Sequence, residues 1–207
     1  MTPEQAHYLK NVLRKKEDDA VRLFNGRDGE FLAEIKDVGK KGGAVLLKEK
    51  IRQQPETVPA VHLLFAPLKK DRMDFLIEKS VELGVTEFHP ILTARTEVRK
   101  INAERIQAQI IEAAEQCERM TLPLFHPLAD LHAKLASWPS HTPILWGRER
   151  GEAPPLSAKS PKAWAFLIGP VGGFDDAEDS FLLSHQGIEP VSLGESILRS
   201  ETAAIVC

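Results

Sequence analysis

"LIGPVGGFDD", residues 167–176, places three glycines and a proline directly after an apolar run and directly before a run of carboxylates. The apolar run AWAFLI (163–168) has the length and composition of a buried strand, and DDAEDSFLLSHQG (175–187) is typical of a helix. Asp175 is the predicted N-cap of that helix, because Glu178 three residues on completes a capping box. The segment therefore predicts a strand, a glycine turn and a helix. Glycines in such a turn let the main chain approach a ligand closely.

The charge beside this turn argues against a phosphate ligand. The helix start carries four carboxylates, which would repel an anion. They are those of Asp175, Asp176, Glu178 and Asp179. Neither a Lys-Ser/Thr pair nor a G-x-G-x-x-G spacing is present, as phosphate-binding loops require. A neutral or cationic ligand fits better, and a turn that only reverses the chain is the alternative for this stretch taken alone.

A second glycine turn follows one strand later, in VSLGESILRSETAA (191–204), where Gly194 separates a strand from a helix predicted to begin near Ser196. A third loop, LWGRE (145–149), comes after another apolar run in the same manner. Ligands of open α/β sheets bind in crevices at the carboxyl ends of the strands. The three turns together therefore predict such a crevice.

The larger part of the chain, residues 59–207, alternates short apolar runs with helical segments. This pattern is typical of an α/β fold with a mostly parallel sheet covered on both faces. The predicted strands are VHLLFAP, TEFHPIL, PILWG, AWAFLIG and IEPVSLG. Of the predicted helices, the first spans Asp71–Leu83, with Leu83 on its inward face and Gly84 as a C-terminal cap. The second runs from Asn102 to about Met120, with Cys117 as a core residue.

Residues 1–55 are mildly basic and predict a small β-barrel-like domain. Alternating runs flank the turn dipeptides Asn25-Gly26 and Asp28-Gly29, which accept the positive φ of a hairpin, and GAVLLKEK (43–50) supplies a third run. Before them, a short helix is predicted, with Ala6, Leu9, Val12 and Leu13 on one face and Tyr8 in the core. A polar, proline-containing linker, residues 51–59, joins the two domains.

The composition sets broad limits on function. The chain has 207 residues, 43% of them hydrophobic, and a formal net charge of -3, so it is not expected simply to coat nucleic acid. No apolar run is long enough to cross a membrane and the first residues lack a secretory pattern, which predicts a cytoplasmic protein. Cys117 and Cys207 form no disulfide framework. The seven histidines are scattered without metal-ligand spacing, so no metal site is predicted.

Six segments in order resemble one known family, the 16S ribosomal RNA uridine-N3 methyltransferases of the SPOUT superfamily. They are AHYLKNVLR, LFNGRDGEFLAEI, KKDRMDFLIEKSVELGVTEFHPILTART, EAAEQCERMTLP, IGPVGGFDDAE and LGESILRSETA. The resemblance implies an N-terminal PUA-like RNA-binding domain over residues 1–55 and a SPOUT methyltransferase domain, an α/β knot with a deep trefoil knot, over 59–207. It also implies S-adenosylmethionine (SAM) as methyl donor, 16S rRNA of the small ribosomal subunit as substrate, and a homodimer.

The resemblance assigns the glycine-rich turns to the cofactor. Their main-chain groups can pair with the polar edge of adenine while apolar side chains cover its faces, and the acidic helix start is compatible with a cationic sulfonium. The implied SAM-binding residues are Leu145, Trp146, Ile168, Gly169, Gly172, Gly173, Leu193, Gly194, Ile197 and Leu198. For Ile197 and Leu198, the core face of a helix is the alternative.

Methyl transfer to uridine N3 needs a group that stabilises the anion formed as the N3 proton leaves. Arg199 is the main candidate and Arg119 its helper, because a guanidinium can bond a uracil carbonyl oxygen or grip a phosphate. Glu201 is a candidate proton acceptor, with a cap or an ion pair as the alternative. Basic side chains near the strand ends and in the small domain are expected to neutralise RNA phosphates. These are Arg14, Lys15, Lys69, Lys70, Arg72 and Arg95.

The chain departs from the family pattern at the crevice. Val171 stands where the family usually has Glu, and Glu195 and Ser196 stand where it has Pro-Arg. The family also has a strand before Thr2 and a final helix that continues beyond Cys207, so we expect an incomplete barrel. The alternative function is therefore a catalytically weakened SPOUT-fold protein that binds RNA or the ribosome. A nucleotide-binding hydrolase is a third possible function, which is disfavoured because the glycine turn lacks the lysine of a phosphate-binding loop.

Overall fold

The computed structural model describes residues 1–149, 152–156 and 163–207, which fall into two compact units, Met1–Thr57 and Val58–Cys207. The helices are α1 (Pro3–His7), α2 (Lys70–Glu82), α3 (Ala103–Gln116), α4 (Leu131–Ala136), α5 (Asp176–Ser184) and α6 (Ser200–Val206). The strands are β1 (Ala20–Phe24), β2 (Glu30–Gly39), β3 (Gly42–Arg52), β4 (Ala60–Phe65), β5 (Glu87–Leu92), β6 (Leu124–Phe125), β7 (Ala129–Asp130), β8 (Ile144–Gly147), β9 (Ala163–Ile168) and β10 (Ile188–Val191). Within these described ranges, no helix is long and apolar enough to cross a membrane.

The first unit is built on a three-stranded antiparallel sheet in the order β1-β2-β3. The predicted β1–β2 hairpin is confirmed. Its turn is held by Asn25 Oδ1, which accepts from the backbone N–H groups of Arg27 (3.0 Å) and Asp28 (2.9 Å). Gly29 has a φ of 92°, and a Cβ there would lie 2.4 Å from the Arg52 carbonyl oxygen. The close pairing of β2 with β3 therefore requires glycine at this position.

The helix predicted for residues 3–14 is only partly correct. α1 ends at His7 and continues as a π-helical turn, Tyr8–Val12, in which the 3.6-residue period is lost. Ala6 is fully buried and Leu9 packs beside it, as expected. Val12 and Leu13 are instead exposed, and Tyr8, predicted to be core, is 41% exposed.

The second unit is an α/β layer structure, and its predicted parallel sheet is confirmed. Seven strands lie in the order β10-β8-β9-β4-β5-β6, with β7 also pairing β5, and all of these pairs are parallel. One face buries Leu63, Phe65 and Phe88 against α2 and α3. The other buries Leu64 and Ile91 with side chains of α4 and α5. Alternate residues of each strand therefore supply the two cores.

Helix ends differ from the sequence-based boundaries by a few residues. α2 stops at Glu82, so Leu83, predicted to point inward, is 64% exposed, while Gly84 has the φ of 103° expected of a cap. α3 ends at Gln116 rather than near Met120, because Glu118 has a φ of 56° and cannot continue a helix. Cys117 packs against the core, as predicted.

The two helices beside the glycine turns behave differently. α5 has the predicted capping box, in which the Asp175 side chain accepts from the Glu178 N–H and Glu178 accepts from the Asp175 N–H. α6 begins at Ser200, not near Ser196. Residues 195–198 form an extended loop after Gly194, whose φ is 122°. Ile197 and Leu198 therefore do not lie on the core face of a helix.

Candidate functional site

A crevice of about 650 Å³ opens where β8, β9 and β10 end side by side. Three loops form its walls: residues 147–149, 169–174 and 192–198. They are adjacent because β8 pairs with both β9 and β10 in parallel, so the carboxyl ends of all three strands meet at one edge. This is the crevice that the sequence predicts.

The glycine turn after β9 is held by its own backbone and by one arginine. The Gly173 N–H donates to the Pro170 carbonyl oxygen at 2.9 Å. The Arg95 guanidinium donates to the carbonyl oxygens of Gly172 (2.8 Å) and Phe174 (3.1 Å). Gly169 faces the Phe174 ring so closely that a Cβ would lie 2.8 Å from it. The turn is therefore fixed in shape before any ligand enters.

Glu178 ties this turn to the neighbouring strand end. It is 7% exposed, and its Oε1 accepts from the Ala94 N–H at 2.7 Å while its Oε2 accepts from the Asp175 N–H at 3.1 Å. A buried carboxylate is tolerable only when both oxygens are hydrogen-bonded, as they are here. Glu178, one of the four carboxylates at the α5 start, is thus structural.

An aromatic pair forms part of the crevice lining. Trp146, at 1% exposure, packs edge-on against Phe174 with 5.7 Å between ring centroids. Its Nε1 has no hydrogen-bond partner within the described ranges, although it is buried. Arg148 lies 5.5 Å from the centre of the Trp146 ring and donates to both oxygens of Asp179, at 3.3 and 2.8 Å. That bidentate pairing neutralises the Arg148 charge beside the crevice.

The polar lining of the crevice favours a neutral or cationic ligand. Its carboxylates are those of Glu149, Asp176, Asp179 and Glu195. Its two guanidinium groups, on Arg95 and Arg148, both make the hydrogen bonds described above. Glu149 Oε2 lies 3.7 Å from the point where a Cβ of Gly173 would stand, so an acidic oxygen is close to the turn. An anionic ligand would meet this acidic rim directly.

The structure brings together most of the residues predicted to bind the cofactor. Those that line the crevice are Trp146, Ile168, Gly169, Gly172, Gly173, Leu193, Gly194, Ile197 and Leu198. Leu145 does not line it. Side chains of a strand alternate between faces, so Leu145 packs on the core beneath α2 and α3 while Trp146 points to the other face. Ile197 is 70% exposed at the rim.

The three predicted catalytic residues occupy different environments. Arg199 is exposed at the N-cap of α6, between Leu198 and Ser200, which both line the crevice. Glu201 is 8% exposed, lies 3.6 Å through Oε1 from Arg72 Nε, and has no hydrogen-bond partner within the described ranges for its buried Oε2. None of the three is itself part of the crevice lining.

Arg119 binds the end of α2. Its guanidinium donates to the carbonyl oxygens of Val81 (2.8 Å) and Gly84 (3.5 Å), and its Nε donates to Thr121 Oγ1 (3.2 Å). Burial lowers the pKa of the Arg119 guanidinium. A cation that satisfies the last carbonyls of a helix also interacts favourably with the helix dipole. These contacts support a structural role, and a catalytic one stays a prediction.

Truncation of this side chain is expected to cost stability. Arg119→Ala removes the charged donor to the carbonyl oxygen of Val81, which keeps the Gly84 N–H, so the free energy of unfolding should fall by about 1–3 kcal/mol. Chemical denaturation measures this free energy of unfolding. Lys79→Ala, which removes exposed ion pairs from the same helix, should have a smaller effect. If Arg119→Ala unfolds like the unmodified protein but has lost turnover, the catalytic role is supported instead.

The residues predicted to contact RNA are dispersed. Arg95 holds the glycine turn, Lys69 pairs with Glu97 at 2.7 Å, and Arg72 is the partner of Glu201. Lys70 is exposed at the start of α2. Arg14 and Lys15 belong to the first unit, where Arg14 is exposed with a φ of 54° and the Lys15 ammonium donates to the Ala20 carbonyl oxygen at 3.2 Å. Their role in RNA binding stays a prediction.

An open parallel sheet with a rigid, weakly acidic crevice at its carboxyl edge defines an α/β protein that binds a small molecule there. Comparisons with known proteins give the family. The model of an RNA methyltransferase domain matches residues 54–207, and that of an RNA methyltransferase PUA domain matches residues 2–47. The chain therefore belongs to the RNA methyltransferase family, and the predicted PUA-like N-terminal part is confirmed.

Individual relatives agree with this assignment over almost the whole chain. The ribosomal RNA small subunit methyltransferase E of Rickettsia conorii is 37% identical over 96% of this chain and 82% of its own length. The protein of that name from Neisseria gonorrhoeae, solved bound to S-adenosyl methionine, is 30% identical with a TM-score of 0.87, covering 99% of this chain and 86% of that one. A Legionella pneumophila structure in complex with bound cofactor SAM is 33% identical with a TM-score of 0.87, covering 100% and 87%.

Proposed function

We propose that this chain transfers a methyl group from SAM to N3 of a uridine in 16S rRNA of the small ribosomal subunit. The observation that carries the proposal is the crevice, because the three loops that the resemblance assigns to SAM lie together and form one site. The relatives that carry the name ribosomal RNA small subunit methyltransferase E support the substrate class.

The residues of the crevice suit SAM chemically. The Gly172 N–H and the Gly173 carbonyl oxygen, which make none of the turn's own hydrogen bonds described above, offer polar groups to adenine and ribose. Ile168 and Leu193 offer apolar cover. Both side chains lie close to Gly147, since a Cβ at that position would be 3.1 Å from Ile168 and 3.2 Å from Leu193. The carboxylates at the rim suit a sulfonium cation. We expect binding largely through main-chain groups of the glycine turns.

The chain's own residues must orient the uridine and stabilise its charge. When bound, SAM supplies an electrophilic methyl group. The uridine must lose its N3 proton before the N3 lone pair can attack, which leaves negative charge on the uracil carbonyl oxygens. Arg199 is the candidate to stabilise that charge, because its side chain is exposed and its chain neighbours Leu198 and Ser200 line the crevice. Glu201 is a weaker candidate for the proton acceptor, since it is nearly buried and lies close to Arg72.

Two measurements test this function. Calorimetry should detect SAM binding with a micromolar or lower Kd, as the family's chemistry requires. Labelled SAM should then transfer its methyl group to small ribosomal subunits. Binding without transfer would favour the silent RNA-binding protein suggested by Val171 and Ser196, and absence of both would exclude SAM chemistry. Binding of a nucleoside triphosphate instead would favour the hydrolase.

The same proposal includes the partners and the location. A homodimer, a cytoplasmic location and the trefoil knot follow from the family resemblance, and light scattering after gel filtration tests the first. We propose phosphate contacts for the six basic residues named above. Of these, Lys70 and Arg14 are the best tests, because both are exposed and no other feature of the fold depends on them.

Val171, which stands where the family usually has Glu, allows a test of what this difference does to SAM binding. It is 59% exposed and lines the crevice. Val171→Glu adds a carboxylate beside a cationic ligand, and an exposed ion pair contributes about 0.2–1 kcal/mol, so SAM should bind up to about fivefold more tightly. Calorimetry measures the SAM affinity, with Val171→Gln as the uncharged control. Equal affinity in all three proteins would show that the position is only a spacer.

A further inference from the structure

Two neighbouring strands of the second unit place three metal-binding side chains together on one face. His62 lies on β4, and Glu87 and His89 lie two residues apart on β5, where His62 pairs directly with Glu87 across the parallel ladder. Both strands point these residues to the face that also buries Leu64 and Ile91. His62 stands three residues before the end of β4, roughly 10 Å along the strand from the edge that holds the crevice. The cluster is thus a separate site.

The ligand atoms of the cluster are spaced as around a single ion. His62 Nδ1 lies 3.2 Å from His89 Nε2, and each of these nitrogens lies 3.6 Å from Glu87 Oε2. A tetrahedral zinc ion with bonds of about 2.0–2.1 Å holds its ligand atoms about 3.3 Å apart. The three atoms therefore match the edges of one face of such a tetrahedron without movement of the backbone.

A third imidazole and a packed shell surround these ligands. His126, just after β6, has its Nε2 2.7 Å from Glu87 Oε2, and its ring stacks on His89 with 4.1 Å between centroids. Trp138 packs edge-on against both His62 and His89, at 5.4 and 5.1 Å. Metal-bound carboxylates are commonly hydrogen-bonded in this way, and the shell around a site fixes its geometry. Three ligating groups and an aromatic wall therefore converge on one point, and His126 holds the Glu87 carboxylate from outside.

One neighbouring cation must move when the metal binds. Lys134 Nζ lies 3.4 Å from His89 Nδ1. Because His89 must carry its proton on Nδ1 when Nε2 binds a metal, the flexible Lys134 side chain has to turn away.

A metal-free network is the alternative explanation of the cluster. In it, the His89 Nε2–H donates to His62 Nδ1, and His126 pairs with Glu87 alone. That network also lets Lys134 donate to His89 Nδ1, and the bond to His126 holds the carboxylate. It leaves the Glu87 oxygen 3.6 Å from both His62 Nδ1 and His89 Nε2, beyond hydrogen-bond reach, whereas one ion can bond to all three atoms.

We propose that His62 Nδ1, His89 Nε2 and the Glu87 carboxylate bind a Zn²⁺ ion, with water in the fourth position and His126 hydrogen-bonded to the carboxylate. Nitrogen and carboxylate oxygen ligands in a tetrahedral arrangement are what zinc prefers. The ion would join β4 and β5 directly, and the segment after β6 through His126. Its role is structural, since the crevice lies at the other end of these strands.

Zinc binding to the full chain tests the proposal. Protein stripped with a chelator and then dialysed should bind Zn²⁺ by calorimetry at micromolar or lower Kd, with close to one ion per chain, and its melting temperature should rise with Zn²⁺. Co²⁺ in place of zinc should give the intense visible absorption of a tetrahedral site. Absence of binding, or a Co²⁺ spectrum of an octahedral aquo ion, would overturn the proposal.

Matched variants separate the site from general folding defects. Glu87→Gln and His62→Gln keep the side-chain volume nearly constant and should weaken Zn²⁺ binding at least tenfold, while SAM affinity, which reports on a folded crevice, should not change. His141→Ala, an exposed histidine outside the cluster, should bind zinc like the unmodified protein. Lys134→Ala should bind it more tightly, because a nearby positive charge is removed. Unchanged zinc affinity in both glutamine variants would contradict the assignment.

Discussion

Gly194→Ala is expected to lower the affinity for SAM roughly tenfold to a hundredfold. Gly194 lines the crevice and has a φ of 122°, a backbone angle that residues with a Cβ rarely adopt. Holding alanine there costs on the order of 1–3 kcal/mol, so the loop would relax to another shape. The proposed binding groups of this wall are main-chain atoms, and a change of loop shape moves them directly. Calorimetry with SAM measures the loss.

Gly187→Ala is the matched control for this variant. Gly187 also has a positive φ, 90°, and a Cβ at either position would meet no atom within 4 Å, so the two substitutions differ little in local crowding. Gly187 precedes β10 and does not line the crevice. Both variants should lose stability, whereas only Gly194→Ala should lose donor affinity. If both bind SAM as the unmodified protein does, the β10 turn is not a wall of the donor site.

Local sequence signals were enough to predict the strand, turn and helix of residues 163–187. The reason is that each of their determinants acts within a few residues: a run of apolar residues, glycines that permit the turn, and a capping box that needs only Asp175 and Glu178. The parallel sheet followed from the alternation of such units. The crevice was predictable as well, because each of its three loops follows a strand and the carboxyl ends of parallel strands meet at one edge, whereas the adjacency of β10, β8 and β9 is known only from the structure.

Features that depend on side-chain direction could not be predicted in this way. Leu145 and Trp146 are neighbours in sequence, yet they face opposite sides of β8, so one is core and the other lines the crevice. Arg95 was predicted to meet RNA, but its guanidinium reaches the carbonyl oxygen of Gly172, 77 positions away. Neither contact leaves a periodic signal in the sequence.

The start of α6 shows a second limit of prediction from the sequence. The sequence favoured a helix from Ser196, because glycine commonly ends one element and serine commonly begins the next. The chain instead remains extended to Arg199, and the helix begins at Ser200. Residues 195–198 are consequently part of the crevice loop. A longer helix would have taken the main chain of Ile197 and Leu198 away from a ligand, so tertiary context here overrides local preference.

The histidine cluster shows why scattered residues can still form a site. His62, His89 and His126 are 27 or more positions apart, so no short motif links them. The parallel register of β4 and β5 brings His62 beside Glu87, and the β5–β6 pairing brings His126 close to both. One signal was available: a histidine in each of the predicted strands VHLLFAP and TEFHPIL. Interpreting it would have required the strand order, which the sequence pattern does not provide.

Arg199→Ala is expected to lower the rate constant of methyl transfer by about a hundredfold to a thousandfold, as removal of a group that stabilises transition-state charge does. The guanidinium is exposed beside the crevice, and it makes no hydrogen bond or ion pair with the part of the chain that the structure describes. Its loss should therefore leave both the melting temperature and the SAM affinity unchanged. Single-turnover transfer from labelled SAM to small ribosomal subunits measures the rate constant separately from substrate binding.

Arg199→Lys distinguishes charge from geometry at this position. Lysine keeps the positive charge but lacks the planar fork that can bond a uracil oxygen and a phosphate together, so partial activity between that of the alanine variant and the unmodified protein is expected. Full activity of Arg199→Lys would mean that a positive charge alone suffices, as it does for steering RNA towards the site. The alanine and lysine variants should then differ mainly in how strongly salt affects the rate of methyl transfer. Full activity of Arg199→Ala would exclude any part for this side chain in the chemical step. The charge on the uracil oxygens would then have to be stabilised by another group, and Arg119 could serve only if its bonds to the Val81 and Gly84 carbonyl oxygens were released.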